Sequence, residues 1–255
     1  MRPPALVVPL AMSSASPVFA LNPDLDLNDL AERFSRNGRV LIDGVLAPDA
    51  AEALHLMLRA REDWRQVIGG ETQLVELDRR TRTGLTPEQV AALDEAVHAG
   101  ARYGFQYRFE SIRVPDGTEE RQRSGDPLAA FAAWWSQGEP LALLRRIVGD
   151  DTVAFADAQA TAYAPGDLLT GHDDEVAGKG RRAAYVLGLT PKWRLEWGGL
   201  LMFHDDGGHT AEGWMPGFNR LALFRVPQPH SVSEVTRAAA YRRYSITGWL
   251  RRGGA

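Results

Sequence analysis

From about Gly149 onward the apolar runs of this chain are short, and turn signals follow each of them. Val153 to Tyr163, Leu168 to His172, Ala183 to Leu189, Leu200 to His204, Arg220 to Val226, His230 to Val235 and Tyr241 to Leu250 are separated by stretches rich in Pro, Gly and Asp. Segments of this kind fit strands that turn back on one another, and their spacing predicts an all-β sandwich or barrel.

The residues ahead of that block read mainly as helix. Asp26 can cap a helix running to about Asn37, with Leu27, Leu30, Ala31 and Phe34 as its apolar stripe and Gly38 as its end. Val40 to Val45 suggests a strand. Pro48 opens a second helix, where Ala51, Leu54 and Leu58 form a face and His55 sits among apolar neighbours. Thr86-Pro87-Glu88-Gln89 has the form of a capping box and starts a helix that reaches Tyr103, and Asp126-Pro127 starts another through Trp134-Trp135. Helices covering one face of a sheet would make a single α+β unit. Its expected parts are a mainly helical region over residues 21–152 and a β core over 153–252. No internal repeat is evident.

Composition narrows the chemistry. The chain of 255 residues is 44% hydrophobic and 24% charged, as expected of a globular protein large enough to bury a core. Its 29 basic and 33 acidic residues give a formal charge of -4, and the basic pairs Arg145-Arg146, Arg181-Arg182 and Arg242-Arg243 stand apart without an aromatic platform. A direct nucleic-acid partner is therefore not expected. There is no cysteine. Disulfides, thiolate zinc sites, iron-sulfur clusters and cysteine nucleophiles are excluded within the chain, so a metal must be held by nitrogen and oxygen. A cysteine-free chain fits a reducing compartment, and the cytoplasm is the expected one. Residues 1–20 read as a leader outside the fold, or as sequence ahead of a natural start at Met12. Pro4 and Pro9 interrupt the apolar stretch that would otherwise imitate a secretion signal before Val18-Phe19-Ala20. No apolar run approaches the length of a membrane span, and no membrane association is expected.

Gly171-His172-Asp173-Asp174 is the sharpest local feature. On an extended segment positions 172 and 174 face the same side, so His172 and Asp174 can converge while Asp173 points away. His230, at the start of another predicted strand after Pro227 and Pro229, can supply a second imidazole. Two imidazoles and a carboxylate on one face of an octahedron leave three positions open, the ligand set of mononuclear non-haem Fe(II). His-Asp-Asp alone reads more readily as a solvated turn, and His230 alone as a hydrogen-bonded surface or core histidine. His204-Asp205-Asp206 repeats the same letters, with His209 close behind, but Gly207-Gly208 and the polar stretch to Asn219 suggest a long connection.

A set of motifs in fixed order resolves this choice. Tyr163-Ala164-Pro165-Gly166, the His172-x-Asp174 pair, Arg181-Arg182-Ala183-Ala184-Tyr185 and Trp197-Gly198-Gly199-Leu200 are followed by Asn219-Arg220-Leu221, Phe224, His230-Ser231-Val232 and Arg243-Tyr244-Ser245-Ile246-Thr247-Gly248-Trp249. Together they resemble the prolyl-hydroxylase branch of the Fe(II)/2-oxoglutarate dioxygenases, over residues 153 to 251 and more weakly through the helices before them. The resemblance implies a double-stranded β-helix, the jelly roll of cupin-like proteins, with supporting N-terminal helices and the metal ligands near the open end. It implies Fe(II) on His172, Asp174 and His230, with 2-oxoglutarate and O2 as cosubstrates and ascorbate as an accessory reductant.

The same resemblance assigns Arg243 to the distal carboxylate of 2-oxoglutarate, for which a guanidinium fork is chemically suited. Arg242 faces the other side of a regular strand. Alternation puts Ser245, Thr247 and Trp249 on the Arg243 face, the hydroxyls as candidate donors to the cosubstrate and the indole as a pocket wall. Tyr163 resembles a family tyrosine that contacts the same carboxylate. At Gly188, where related enzymes often carry a pocket tyrosine, the sequence departs from the pattern, which implies a wider site or a compensating group. The implied reaction is hydroxylation of an unactivated C–H bond, foremost of a prolyl residue in a peptide or protein. Arg108, Phe109 and Arg113 are candidate substrate contacts, in regions that could border an extended chain. A free amino acid or another small metabolite is the alternative substrate, and a non-catalytic jelly-roll binding module the alternative to an enzyme.

Overall fold

The helix signals are realised at the residues that carry them. The computed structural model describes residues 19–70, 74–205, 207 and 209–253. The Asp26 carboxylate accepts the backbone N–H groups of Asn28 and Asp29, opening α1 (Leu27–Asn37), which ends at Gly38 with φ 68°. Pro48 opens α2 (Pro48–Ala60), and a short α3 (Arg79–Thr83) precedes α4 (Pro87–Tyr103). At the start of α4 the Thr86 hydroxyl accepts the Gln89 N–H while the Gln89 side chain accepts the Thr86 N–H, a complete capping box. The region closes with α5 (Thr118–Arg123), α6 (Pro127–Trp135), capped by Asp126, and α7 (Gly138–Val148). Residues 1–18 of the expected leader lie outside the described residues. Its last two residues are packed: the Phe19 ring meets Phe131 and Trp134 at centroid distances of 5.4 and 5.6 Å, and the Ala20 carbonyl accepts the Ala47 N–H.

Among the described residues the strands are β1 (Arg39–Asp43), β2 (Arg65–Gly70), β3 (Leu74–Asp78), β4 (Gln106–Arg113), β5 (Val153–Ala156), β6 (Gln159–Tyr163) and β7 (Leu168–His172). They continue as β8 (Arg181–Leu189), β9 (Leu201–His204), β10 (Thr210–Trp214), β11 (Phe218–Arg225), β12 (His230–Val232) and β13 (Arg243–Arg252). They depart from the sequence expectation in three places. Val153 to Tyr163 is two strands, broken at Asp157-Ala158, and the polar stretch after His204 contains β10, which folds back on β9. The third is β4 with its β2–β3 neighbours, which stand in the half expected to be mainly helical. Strand β4 pairs with both β6 and β7, so the sheet draws on both halves of the chain.

Charge explains why β4 is hard to read. Its Arg108 and Glu110 are buried on the face away from Tyr107 and Phe109, each neutralised by partners distant in sequence. Arg108 binds the Asp167 carboxylate at 2.9 Å, the Gly166 carbonyl at 2.8 Å and Asp94 of α4. Glu110 accepts from Arg82 at 2.6 Å and from Arg242. A strand with buried ions on one face loses the apolar/polar alternation by which strands are recognised.

All strands join one curled antiparallel sheet, in the order β1-β11-β8-β13-β6-β4-β7-β12-β9-β10, with β2–β3 attached at β4 and β5 at β13. Alternation divides its residues between two cores. Ala183, Tyr185, Leu187, Leu221, Leu223, Ile246 and Leu250 pack against the helices, on Phe34, Phe131, Trp135 and Leu144. Ala184, Ala222 and Phe224, on the other face, meet Phe203 and Val232 of the short strands that curl over them. This is the α+β jelly roll with supporting helices that the motifs imply. Among the described residues no helix is long and apolar enough to cross a membrane.

Asn219 ties the sheet to the N-terminal region. Its φ is 52°, its side-chain amide donates to the Leu46 carbonyl at 2.7 Å, and its side-chain carbonyl accepts the Leu46 N–H at 2.9 Å. Replacing Asn219 by Ala strands two buried backbone groups, at about 1–3 kcal/mol each, and adds left-handed strain. We expect urea unfolding of Asn219→Ala to give a stability lower by about 2–5 kcal/mol; a change inside about 0.5 kcal/mol would mean that this link is dispensable.

Candidate metal centre

Strand pairing brings the two distant histidines together. His172 ends β7, His230 begins β12, and the two stand opposite one another across the antiparallel ladder, their ring centroids 4.1 Å apart. Each ring is oriented by a backbone carbonyl: Thr170 O lies 3.0 Å from His172 Nδ1, and Gln228 O lies 2.7 Å from His230 Nδ1. Because a carbonyl only accepts, both Nδ1 atoms carry the proton and both Nε2 lone pairs are left for the site. They face the Asp174 carboxylate at 3.4 and 3.5 Å. One ligand atom from each of the three residues lies within 4.8 Å of the others.

The electrostatics suit a metal. Burial, reinforced by the neighbouring His172, lowers His230 to about 4, so its imidazole is neutral at pH 7. Burial works against the Asp174 charge, yet the carboxyl stays below its ordinary range. A neutral imidazole, as at His230, and an ionised carboxylate are the forms in which such groups bind a metal. With no thiolate in the set, the donors match a nitrogen- and oxygen-binding divalent ion such as Fe(II).

Asp174 reaches the site by a route that strand parity does not describe. Strand β7 stops at His172, and Asp174 takes φ 65°, a left-handed conformation that costs about 1–2 kcal/mol for most side chains and less for Asp. Asp173 turns away, its carboxylate accepting the Glu175 N–H at 3.0 Å. The residue selected is the expected one, but a turn selects it. The similar letters downstream have another role. His204 Nε2 meets Ser231 Oγ at 2.8 Å, and the Asp205 carboxylate accepts the N–H groups of Gly207 and His209; Asp206 and Gly208 lie outside the described residues.

A cavity of about 570 Å³ opens onto His172 and Asp174. One wall is an aromatic ladder. Phe105 lies 5.7 Å from His172, followed by Tyr107, Phe109 and, stacked at 5.1 Å, Tyr163. Gly69 makes this possible, since a Cβ there would come within 2.4 Å of the Tyr107 ring. Thr247 and Trp249 of β13 also line the cavity.

Further along the same strand face Arg243 is 5% exposed, 5.1 Å from the Tyr163 ring centre, and lacks a carboxylate partner among the described residues. Burial lowers its pKa, yet a guanidinium does not give up its proton near neutrality, so the charge stays and calls for an anion. Burial raises the Tyr163 phenol, which keeps it a neutral O–H donor. Ser245 is buried and its hydroxyl pairs with Thr161 at 2.8 Å, whereas Thr247 is open to the cavity.

The candidate substrate contacts divide. Phe109 and Arg113 line the cavity, Arg113 near its rim in an ion pair with Glu76 at 3.3 Å. Arg108 does not face it. That expectation is corrected by the Asp94, Asp167 and Gly166 contacts that lock Arg108 on the far side of β4. Nor does Gly188 leave a wider site, because a Cβ there would lie 2.3 Å from the Gly217 carbonyl oxygen: backbone fills the place.

Two features escaped the sequence reading. Arg181 donates to the Asp174 carbonyl at 2.7 Å. In Trp197-Gly198-Gly199, Gly198 packs against the Glu234 carbonyl and Gly199 lies beside the Arg243 side chain, at φ 67° and 65°. The motif letters were the available signal, but neither contact is local in sequence.

The likenesses to known proteins agree with this geometry. Residues 158–251 match the 2OG-Fe(II) oxygenase superfamily. Prolyl 3-hydroxylase OGFOD1 of Mus musculus is 35% identical over 127 residues; the match takes in 47% of this chain, which spans only 21% of that relative's length. An oxidoreductase of the 2OG-Fe(II) oxygenase family from Burkholderia pseudomallei is similar in structure over 95% of this chain and 98% of its own, at 14% identity and a TM-score of 0.60. A Trichoplax adhaerens prolyl hydroxylase, solved with a hypoxia inducible factor oxygen degradation domain peptide fragment, is similar over 89% of both chains at 17% identity and a TM-score of 0.58. At such identities the solved structures bear on the fold.

Two outcomes are expected of this site. His172→Ala, Asp174→Ala and His230→Ala should each lose stoichiometric Fe(II) binding in anaerobic calorimetry, and wild-type affinity in any two would remove the assignment. Gly188→Tyr should destabilise the chain by about 1–3 kcal/mol in urea unfolding, because the new side chain meets backbone; unchanged stability would mean that Gly217 can yield.

Proposed function

We propose that the chain is a dioxygenase of the 2OG-Fe(II) oxygenase superfamily, in its prolyl-hydroxylase-like branch, that hydroxylates a prolyl residue of a peptide or protein. The observation that carries this reading is a combination. Two oriented imidazoles and a carboxylate converge at one end of an inner sheet face whose other end holds the buried Arg243, which has no carboxylate partner among the described residues. A structural ion site would have no use for that guanidinium.

Fe(II), with 2-oxoglutarate and O2, would supply the oxidising power to replace C–H by C–OH, which no side chain here can do alone. The residues of the chain hold and orient. His172, Asp174 and His230 would hold the metal through two imidazoles and one carboxylate, leaving it free to take cosubstrate and oxygen as well. Arg243 would bind the distal carboxylate of 2-oxoglutarate through two charge-assisted hydrogen bonds, with the neutral Tyr163 hydroxyl as a further donor. Thr247 is the better placed of the two candidate hydroxyls, since Ser245 already has Thr161 as a partner. Phe105, Tyr107, Phe109 and Trp249 would exclude water from the reacting centre and offer flat apolar surfaces to a pyrrolidine ring. The open cavity, with Arg113 at its rim, suits a chain that enters and leaves rather than an enclosed metabolite. A cysteine-free chain supports the cytoplasm as its place of work.

Mass spectrometry of cell extract treated with the protein, Fe(II), 2-oxoglutarate and ascorbate should reveal prolyl peptides heavier by one oxygen. Turnover of free proline in preference to blocked prolyl peptides would replace the peptide reading by a small-metabolite one, and no 2-oxoglutarate consumption with any extract would leave a binding module. Arg243→Ala should weaken 2-oxoglutarate binding by about 2–5 kcal/mol in calorimetry while leaving Fe(II) binding in place. A normal 2-oxoglutarate affinity would make Arg243 structural.

A further inference from the structure

We propose that Arg181 and Trp249 form a clamp that holds Asp174 in its metal-binding posture, making both of them positioning residues; the inference rests on the Fe(II) reading above. Asp174 lacks the support of a ladder, since β7 ends two residues before it and its φ is 65°. Arg181 Nη1 donates to the Asp174 carbonyl at 2.7 Å. This bond fixes the peptide plane that follows Asp174, and so the direction in which its Cβ presents the carboxylate. The guanidinium is held in turn by the Trp249 indole, with Cζ 3.5 Å from the ring centroid. Trp249 Nε1 is buried and has no hydrogen-bond partner among the described residues.

A β-bulge does the aiming. Ala183 faces the helices, and in a regular strand Arg181 would face them too. Across the ladder, however, Leu250 pairs with Ala183 while the next residue, Arg251, pairs with Arg181, so Arg182 is an extra residue in β8. The insertion carries Arg181 to the cavity side and sends Arg182 outward, where it meets Asp150 at 2.6 Å. Among the described residues the bond to Asp174 is the one side-chain hydrogen bond Arg181 makes, and its Nε is buried without a partner. An arginine held merely for stability would have its buried donors satisfied. Here the made contact goes to a metal ligand. Lysine would keep the charge but lose the planar group that stacks and donates at once.

Mn(II) binding to the full chain, counted by electron paramagnetic resonance of the free ion, tests the clamp without turnover. Arg181→Lys should weaken Mn(II) binding roughly ten- to hundredfold, the usual consequence of losing a residue that orients a ligand. Its circular dichroism and urea midpoint should stay those of the wild type. Trp249→Leu should lose affinity by a similar factor, and the double variant should lose no more than the weaker single one, because the two residues act as one unit. Arg181→Lys affinity within twofold of wild type would overturn the proposal, as would losses that multiply in the double variant. Asp174→Ala separates the two layers of inference. If that variant binds Mn(II) normally, the Fe(II) reading falls and takes the clamp with it; if it loses binding while Arg181→Lys retains it, the clamp alone fails.

Discussion

Strand β13 runs through the large sheet between β6 and β8, and alternation divides its ten residues between two environments. Ile246 and Leu250 sink into the helix-side core, while Arg243, Ser245, Thr247 and Trp249 face inward over the site. A slip of one residue would exchange the two sets, putting a charge among Phe131 and Trp135 and aliphatic side chains where an anion is to bind. The helices therefore do more than shield a sheet. By burying one face of β13 and β8 they fix the register that presents Arg243 to the other.

The sheet also separates two kinds of cation. Arg108 and Arg242 are each paired with a carboxylate, and they tie β4 to α4 and β13 to β4. Arg243, adjacent to Arg242 in sequence but on the opposite face, has the Tyr163 ring and Gly199 for neighbours and no carboxylate among the described residues. A paired arginine is explained by the fold. A buried one without a carboxylate asks for a ligand, and its distance along the strand from the histidines is spanned by the hydroxyl- and aromatic-lined face between them.

Regular geometry stops where the metal ligands begin. His172 is the last residue of its strand, Asp174 is left-handed, and β8 carries its extra residue at Arg182. Each irregularity turns a side chain toward the cavity that an ideal strand would have turned away or left unsupported. Glycines at positions 69, 188, 198 and 199 serve the same end by letting a ring, a carbonyl or an arginine side chain approach where a Cβ would crowd it.

Much of this was legible in the residues. Caps at Asp26, Thr86 and Asp126, the period-two segments after Gly149 and the separation of Arg242 from Arg243 follow from local stereochemistry, which a linear sequence records; Asp174 was preferred to Asp173 by a strand parity that the structure replaces with a left-handed turn. Strand β4 was not legible, because the partners that neutralise Arg108 and Glu110 come from α3, α4, the residue just ahead of β13 and the turn after β6, and no window of sequence contains them. Arg108 was misjudged for the same reason. Of the two readings of Gly188, a wider site or a compensating group, the second holds, and the group is the backbone of Gly217, which local pattern cannot bring near. The types of ligand and their order along the chain were thus set by the amino acids themselves. Which arginine is paired and which lacks a carboxylate among the described residues, and what backbone holds Asp174 in place, were decided by contacts across the sheet, since charge neutralisation and steric fit belong to neighbours in space.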